Sequence, residues 1–167
     1  MSKTDIIFKM QFNIHTYTPQ DKSGIKQCIA ELKNYESQFD PDYCTNEESV
    51  NRLFKSILKE KEDSGEIFVA ESNNNIVGFI SIGIDDKNDE FIVNKIPTAY
   101  ISDIVVLKEY RGKGIGKALM KRAEDFTKEN RLKYVKLIVF SENQNAIGLY
   151  KSLDFEDYET TMIKEIK

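Results

Sequence analysis

The 167-residue chain has no tryptophan, a single histidine, two cysteines and three prolines. Each scarcity removes a class of protein. Two cysteines build no disulfide framework, and neither Cys28 nor Cys44 stands in a C-x-x-C pair or beside a histidine. This excludes a disulfide-stapled scaffold and a zinc cluster, and it predicts a reducing, cytoplasmic setting. With His15 as the lone histidine, the usual ligand set is missing and no metal is expected. Nowhere do 18 apolar residues follow one another, and residues 1–13 interleave Lys3, Asp5, Lys9 and Gln11 with apolar side chains. Neither a membrane span nor a secretory leader is expected. The net charge of -4 is the wrong sign for broad phosphate-backbone binding, so nucleic acid is not an expected partner.

What is present is ample apolar material. Hydrophobic residues make up 40% of the chain, with 10 Phe and 8 Tyr, enough for one core and one expected domain over residues 1–167. Phe12, Ile14 and Thr16 alternate within residues 11–17 and predict a first strand, with Thr18 and Pro19 opening a helix behind it. Ile25, Cys28, Ile29 and Leu32 recur at helical spacing. Thr45 and Glu48 have the spacing of a capping box ahead of Val50, Leu53, Phe54, Ile57 and Leu58. Residues 66–71 and 76–84 read as a hairpin around Asn73-Asn74-Asn75, and the polar run 85–90 reads as a loop. A third apolar run, 99–107, precedes a glycine-rich turn and a helix carrying Ile115, Leu119, Ala123 and Phe126 on one face. A strand over 134–140, a short helix over 143–152 and a last strand over 155–166 complete the reading. Strand, helix, strand in that order implies a right-handed parallel crossover. The expected class is α+β, an α/β sandwich around one mixed sheet.

The chemistry concentrates in Arg111-Gly112-Lys113-Gly114-Ile115-Gly116-Lys117. Three glycines in five residues are conformationally expensive unless bare backbone is needed. A loop that opens a helix aims unpaired N–H groups and the positive end of the helix dipole at one spot, and that spot suits a phosphate. Lys108, Arg111, Lys113, Lys117, Lys121 and Arg122 add positive charge to an otherwise acidic chain. The competing reading is a plain glycine turn with solvated lysines. The ATPase loop is excluded by spacing, because residues 112–117 are one residue short and Ala118 follows Lys117. The dinucleotide pattern fails because Lys117 stands where its third Gly or Ala belongs.

Three segments then stand in a telling order: Tyr100-Ile101-Ser102-Asp103-Ile104-Val105-Val106; Glu109-Tyr110-Arg111-Gly112-Lys113-Gly114-Ile115-Gly116; and Asn143-Gln144-Asn145-Ala146-Ile147-Gly148-Leu149-Tyr150 with Leu153 and Phe155. Together they resemble the GNAT superfamily of acyl-CoA-dependent N-acyltransferases over about the C-terminal half. One departure is Asp154, where relatives often carry glycine in a tight turn; a short Asp can adopt that conformation. The resemblance implies a mostly antiparallel sheet with a splayed parallel strand pair and flanking helices. It implies acetyl-CoA as co-substrate in the splay. The backbone of Gly112, Lys113, Gly114, Ile115, Gly116 and Lys117 would hold the pyrophosphate, with Arg111 at its entrance. Ile104 and Val106 would pair with the pantetheine arm, the Val105 and Val106 amides would face the thioester carbonyl, and Asn143 and Ala146 would line the other wall.

The groups themselves set the chemical demands. An amine of pKa about 10.4 is only about 0.1% neutral near pH 7.4, a deficit worth about 4 kcal/mol, so the site needs a proton acceptor. Asp103 is the candidate base, directly or through water; an exposed strand aspartate paired with a lysine is the alternative. Tyr150 is the candidate donor to the leaving thiolate, against an ordinary aromatic on a buried helix face. For the acceptor, the resemblance points to the connection between the first two helices, where Tyr35, Glu36, Phe39, Asp40 and Asp42 mix carboxylates with aromatics. That composition suits a cationic amine, small-molecule or protein-borne, although a solvated acidic loop has the same composition. The expected function is acetyl transfer to a primary amine by direct attack in a ternary complex, with a catalytically silent acyl-CoA-binding module as the alternative. Sheet edges leave a homodimer open.

Overall fold

The period-two and helical patterns segregate in the computed structural model, which describes residues 11–86 and 95–166. Residues 1–10 of the segment read as free of a leader, and residues 87–90 of the loop reading, lie outside the described residues. The chain forms β1 (Asn13–Thr16), α1 (Lys22–Glu36), α2 (Glu47–Asp63), β2 (Glu66–Ser72), β3 (Asn75–Asp85) and β4 (Thr98–Val106), then α3 (Ile115–Glu129), β5 (Val135–Lys136) and α4 (Gln144–Lys151). The described strands make one sheet in the order β1-β2-β3-β4-β5, antiparallel except for the parallel β4–β5 pair.

Both faces of this sheet are covered. Ile25, Cys28 and Ile29 of α1 and Val50, Phe54 and Ile57 of α2 bury against Ile67, Val69, Phe79 and Val105 on one face. Ile115, Leu119, Met120, Ala123 and Phe126 of α3 pack on Phe68, Ile80, Ile82, Ala99 and Ile101 on the other. Sandwiching explains why β2 and β3 read as continuous apolar runs rather than as clean alternation. Their hairpin closes on Asn73 (φ 50°) and Asn74 (φ 61°). Two consecutive positive φ values match the right-handed strand twist, and asparagine tolerates them.

Three local expectations change. Pro19 opens a 3-10 turn (Pro19–Asp21) ahead of α1, with the Thr18 N–H and hydroxyl both donating to Asp21 Oδ2 at 2.7 and 2.9 Å. The cap of α2 is Asn46, whose Oδ1 accepts the Ser49 N–H at 2.9 Å, rather than a Thr45–Glu48 box. Asparagine one residue later offers the same acceptor in a stronger capping residue. The strand read over 134–140 is reduced to Val135–Lys136, and residues 155–166 form no strand. A strand needs a ladder partner, and here β4 and β5 pair only through Ala99–Val135 and Tyr100–Lys136 before diverging. Tyr158, Met162 and Ile163 are 80–99% exposed, so the alternation at the chain's end is not fixed by burial. Asp154 sits at φ 63°, the left-handed conformation expected of it, where the Phe155 N–H returns to the Tyr150 carbonyl at 3.1 Å.

Candidate active site

A single extra residue in β4 aims the site. Ser81 pairs with Asp103 but Ile82 pairs with Ile101, so Ser102 is bulged out of the ladder. Ile101 and Val105, four residues apart, would share a face in a regular strand. Instead Ile101 packs under α3 and Val105 under α1 and α2. The bulge therefore turns both Ser102 and Asp103 toward α1 and α2. Ser102 Oγ donates to Glu60 Oε1 of α2 at 2.6 Å, and Ser81 Oγ donates to Asp103 Oδ2 at 3.3 Å.

Asp103 is held in an unusual state. Burial pushes its carboxyl up to about 6 and the nearby Glu60 adds to the rise, while the Ser81 hydroxyl and Lys33 oppose it. Burial also raises Glu36, against Lys33 and with help from Asp103, and it raises Glu60. Three carboxylates thus crowd one chamber, and Lys33 acts on Asp103 and Glu36 as an opposing cation. Its aromatic wall is continuous: Tyr35 stacks edge-on to Phe39 at 5.1 Å, Phe39 lies 5.6 Å from Phe140, and Tyr43 meets Phe140 at 5.5 Å. Lys33 Nζ stands 5.0 Å from the Tyr43 ring. Of the acceptor residues expected from sequence, Tyr35, Glu36 and Phe39 gather here. Asp40 stands at its edge: its Oδ1 accepts the Asp42 N–H at 3.0 Å within a turn, while burial and the charges of Glu36, Asp40 and Asp103 together raise the Tyr43 phenol; Asp42 is exposed.

Beyond the bulge, β4 has one open edge. The Leu107 N–H points to β3, bonding Val77 O at 2.9 Å. Antiparallel alternation then sends the N–H and C=O groups of Val106 and Ile104 the other way, into the divergence between β4 and β5, and turns those of Val105 back to β3. Of the two amides expected at the carbonyl, Val106 lies on the open edge and Val105 belongs to the ladder. Gly78 lets β4 approach closely, since a Cβ there would lie 2.7 Å from Val105 O.

The glycine turn follows. Gly112 (φ 74°) and Gly114 (φ 87°) are left-handed, and a Cβ at either would meet nothing within 4 Å. Backbone conformation, not crowding, therefore demands glycine at both. Gly114 is the N-cap of α3 and has no side chain with which to cap it. Ala118 is the first residue to return an N–H into the helix, to Gly114 O at 3.0 Å, which leaves the Ile115, Gly116 and Lys117 amides open. Ile115 contributes only its backbone, because its side chain is core. The Lys113 ammonium lies over the Tyr110 ring at 5.2 Å, and Lys117 is exposed. Arg111 departs from its expected place at the turn's entrance. Its Nε donates to Val106 O at 2.8 Å and its guanidinium lies 5.2 Å from the Tyr35 ring centroid.

Tyr150 approaches from the opposite face. It is 8% exposed, packs in the cluster that includes Ile104, Val106, Ala146 and Leu149, and has its phenol pushed up to about 12 by burial. Asn143 caps α4 through Oδ1, which accepts the Ala146 N–H at 3.2 Å and the Tyr35 hydroxyl at 3.1 Å. That bond bridges α1 to α4 across the mouth of the divergence. Cys28, buried with its thiol pushed up to about 12, is a core residue. Among the described residues, no group of three His, Cys, Asp or Glu side chains could hold a metal ion, and no helix is long and apolar enough to cross a membrane.

Sequence reasoning had no means of reaching Phe140, Glu60 or Lys33. Phe140 closes the wall from 97 residues beyond Tyr43, and Glu60 meets the bulge from 42 residues before Ser102. Only the aromatic content of the α1–α2 connection hinted at a chamber.

The arrangement fits acetyl-CoA: open amides at a helix N-terminus for phosphates, an unpaired strand edge for an amide-bearing arm, and no Cβ filling either turn glycine's space. Known proteins agree. The chain is 35% identical over 133 residues to an uncharacterized N-acetyltransferase of Methanocaldococcus jannaschii, covering 77% of this chain and 57% of that relative's length. Among solved structures, a putative acetyl transferase from Pyrococcus furiosus superposes with a TM-score of 0.74 at 29% identity, over 93% of this chain and 100% of that one. AAC(6')-Iy in complex with the bisubstrate analogue CoA-S-monomethyl-acetylneamine shares the fold, with a TM-score of 0.69 at 16% identity over 94% and 99% of the two chains. Residues 29–155 match the acetyltransferase (GNAT) family, whose members use acetyl-CoA, and the chain belongs to that family.

Proposed function

We propose that this chain moves the acetyl group of acetyl-CoA to a primary, cationic amine by direct attack in a ternary complex. The observation that carries the reading is the β4 bulge, which brings Asp103 into a carboxylate and aromatic chamber beside the open edge of the same strand. When bound, acetyl-CoA supplies the activated acetyl group. The amides of residues 115–117 hold its pyrophosphate, the Ile104 and Val106 backbone holds its amide arm, and Asn143 and Ala146 border it from α4.

Glu36 and the Tyr35–Phe39–Phe140 wall draw an ammonium into the chamber by charge and ring contact. Asp103 then takes the proton, directly or through one water. With a carboxyl near 6, accepting a proton from an amine of about 10.4 is uphill by about 6 kcal/mol, against about 9 for an ordinary aspartate. Burial thus makes Asp103 the better base while leaving it mostly ionised at neutral pH. Tyr150, near 12, stays protonated. Giving its proton outright to a thiolate of about 8.5 is uphill by about 5 kcal/mol, so its role is to donate a hydrogen bond to the leaving sulfur. That sulfur takes the second proton shed by the attacking nitrogen as the C–N bond forms and the C–S bond breaks.

Calorimetric titration with acetyl-CoA, with Gly114→Trp as the control, tests the cofactor. Saturable binding lost in the variant is the expected result. Release of CoA thiol over a panel of mono-, di- and polyamines, amino acids and peptides then tests transfer. Binding without amine-stimulated release would instead make the chain a silent acyl-CoA-binding module.

A further inference from the structure

Arg111 lies on the backbone group that the amide arm of acetyl-CoA would need. Its Nε bonds Val106 O at 2.8 Å, on the open edge of β4. Two further contacts keep it there, the Tyr35 ring at 5.2 Å and Glu31, whose Oε1 lies 3.2 Å from Arg111 Nη2. Glu31 is itself anchored, because the same Oε1 accepts the Lys108 N–H at 2.6 Å. Glu31 therefore ties α1 to the turn leaving β4 and holds a cation across the edge. These residues also border a cleft of about 530 Å³ with Gln38 and Leu107.

We infer that Glu31 is a positioning residue that sets cofactor affinity by holding Arg111 on Val106 O, so that loading is an exchange: Arg111 leaves Glu31 and the strand edge as the phosphates of acetyl-CoA arrive at the turn. This rests on the acetyl-CoA reading above. Three features make the exchange physical. The hydrogen bond to Val106 O and the bonding of an amide arm compete for one edge. The carboxylate and the pyrophosphate compete for one guanidinium, which bonds either in the same charge-assisted way. Both Arg111 and Glu31 are partly exposed, at 40% and 34% of their side-chain surface, so the ion pair is weak enough to be displaced.

The test separates charge from scaffold. Glu31→Gln keeps an oxygen to accept the Lys108 N–H and removes only the negative charge. Binding of acetyl-CoA and of acetyl-pantetheine, which lacks the phosphates, is measured by calorimetry for wild type, Glu31→Gln, Arg111→Met and the double variant, with thermal unfolding as the folding control. Expected is an affinity for acetyl-CoA about two- to fivefold higher in Glu31→Gln, a smaller gain for acetyl-pantetheine, and no gain from Glu31→Gln in the Arg111→Met background. Equal affinities in wild type and Glu31→Gln, or the same change with and without Arg111, overturn the exchange alone. If no variant binds acetyl-CoA while all fold, the cofactor reading falls and the exchange falls with it.

Discussion

The turn after β4 and the chamber under α1 and α2 lie on the same strand, yet they are built from opposite materials. The turn offers backbone: two left-handed glycines and three open amides, with the Ile115 side chain buried and the Lys117 side chain exposed. The chamber offers side chains: Glu36, Asp103 and Glu60 with four aromatic rings, Tyr35 from the end of α1, Phe39 and Tyr43 from the α1–α2 connection, and Phe140. On the proposed reading, the phosphates of acetyl-CoA ask only for backbone donors at the turn. On the same reading the acceptor amine is selected by side chains, which can be exchanged without touching the fold.

If that contrast is right, substitutions should separate cleanly. The largest effect is expected for Asp103→Asn, with kcat/KM down about 10²-fold or more and acetyl-CoA affinity nearly unchanged. The wild-type kcat/KM profile should fall on the acid side of about pH 6, where Asp103 takes up its proton, and the variant should lack that limb. Stability moves the other way. A raised carboxyl contributes fully below its unfolded value near 3.8 and loses that contribution as pH rises through about 6. Asp103→Asn should therefore be more stable than wild type at pH 8, by at most about 3 kcal/mol, with the difference gone below about pH 4. Urea melts at the two pH values read this directly.

Tyr150→Phe should lower kcat about 10- to 100-fold and leave acetyl-CoA binding intact, since it removes one donor to the leaving group. Unchanged turnover would take Tyr150 out of the mechanism and leave it as core. Gly114→Ala sharpens the backbone half of the contrast. Its Cβ meets nothing within 4 Å, so any loss comes from the left-handed φ, about 1–2 kcal/mol. Thermal melts should show that loss, and calorimetry should show weaker acetyl-CoA binding with no change in amine preference. The smallest effects belong to the chamber's rim. Glu36→Gln should raise KM several-fold for dicationic amines and less for monoamines, whereas Asp42→Asn, exposed and outside the chamber, should shift KM less than twofold for any amine.

The two regions also differed in how far sequence could reach them. Residues 111–117 announce themselves because glycine at a left-handed position is a chemical necessity carried by the residue itself. Asn143 and Tyr150 are legible through the resemblance, which holds both in one segment; the structure adds that Asn143 caps the short helix on which Tyr150 is buried. The chamber was only half legible. The resemblance points to the segment and its composition to carboxylates among aromatics, but which of them turn inward depends on local bonds that composition does not carry, such as the turn in which Asp40 Oδ1 accepts the Asp42 N–H while Asp42 stays exposed.

Local chemistry thus suffices for the order of elements as far as α4, the hairpin at Asn73 and Asn74 and the turn that opens α3, while the left-handed Asp154 is read from the glycine of the family that the segment resembles. The local features depend on residues within a few positions of one another, so turn and cap chemistry acts there without any long-range pairing. The direction of Asp103, the withdrawal of the Val105 amide into the ladder, the seat of Arg111 on Val106, and the absence of a strand over 155–166 are decided elsewhere. They depend on register between strands more than ten residues apart, on which face a single bulged serine shifts the strand to, and on whether an edge has a partner. Pairing and burial are properties of the assembled sheet, and no residue carries them alone.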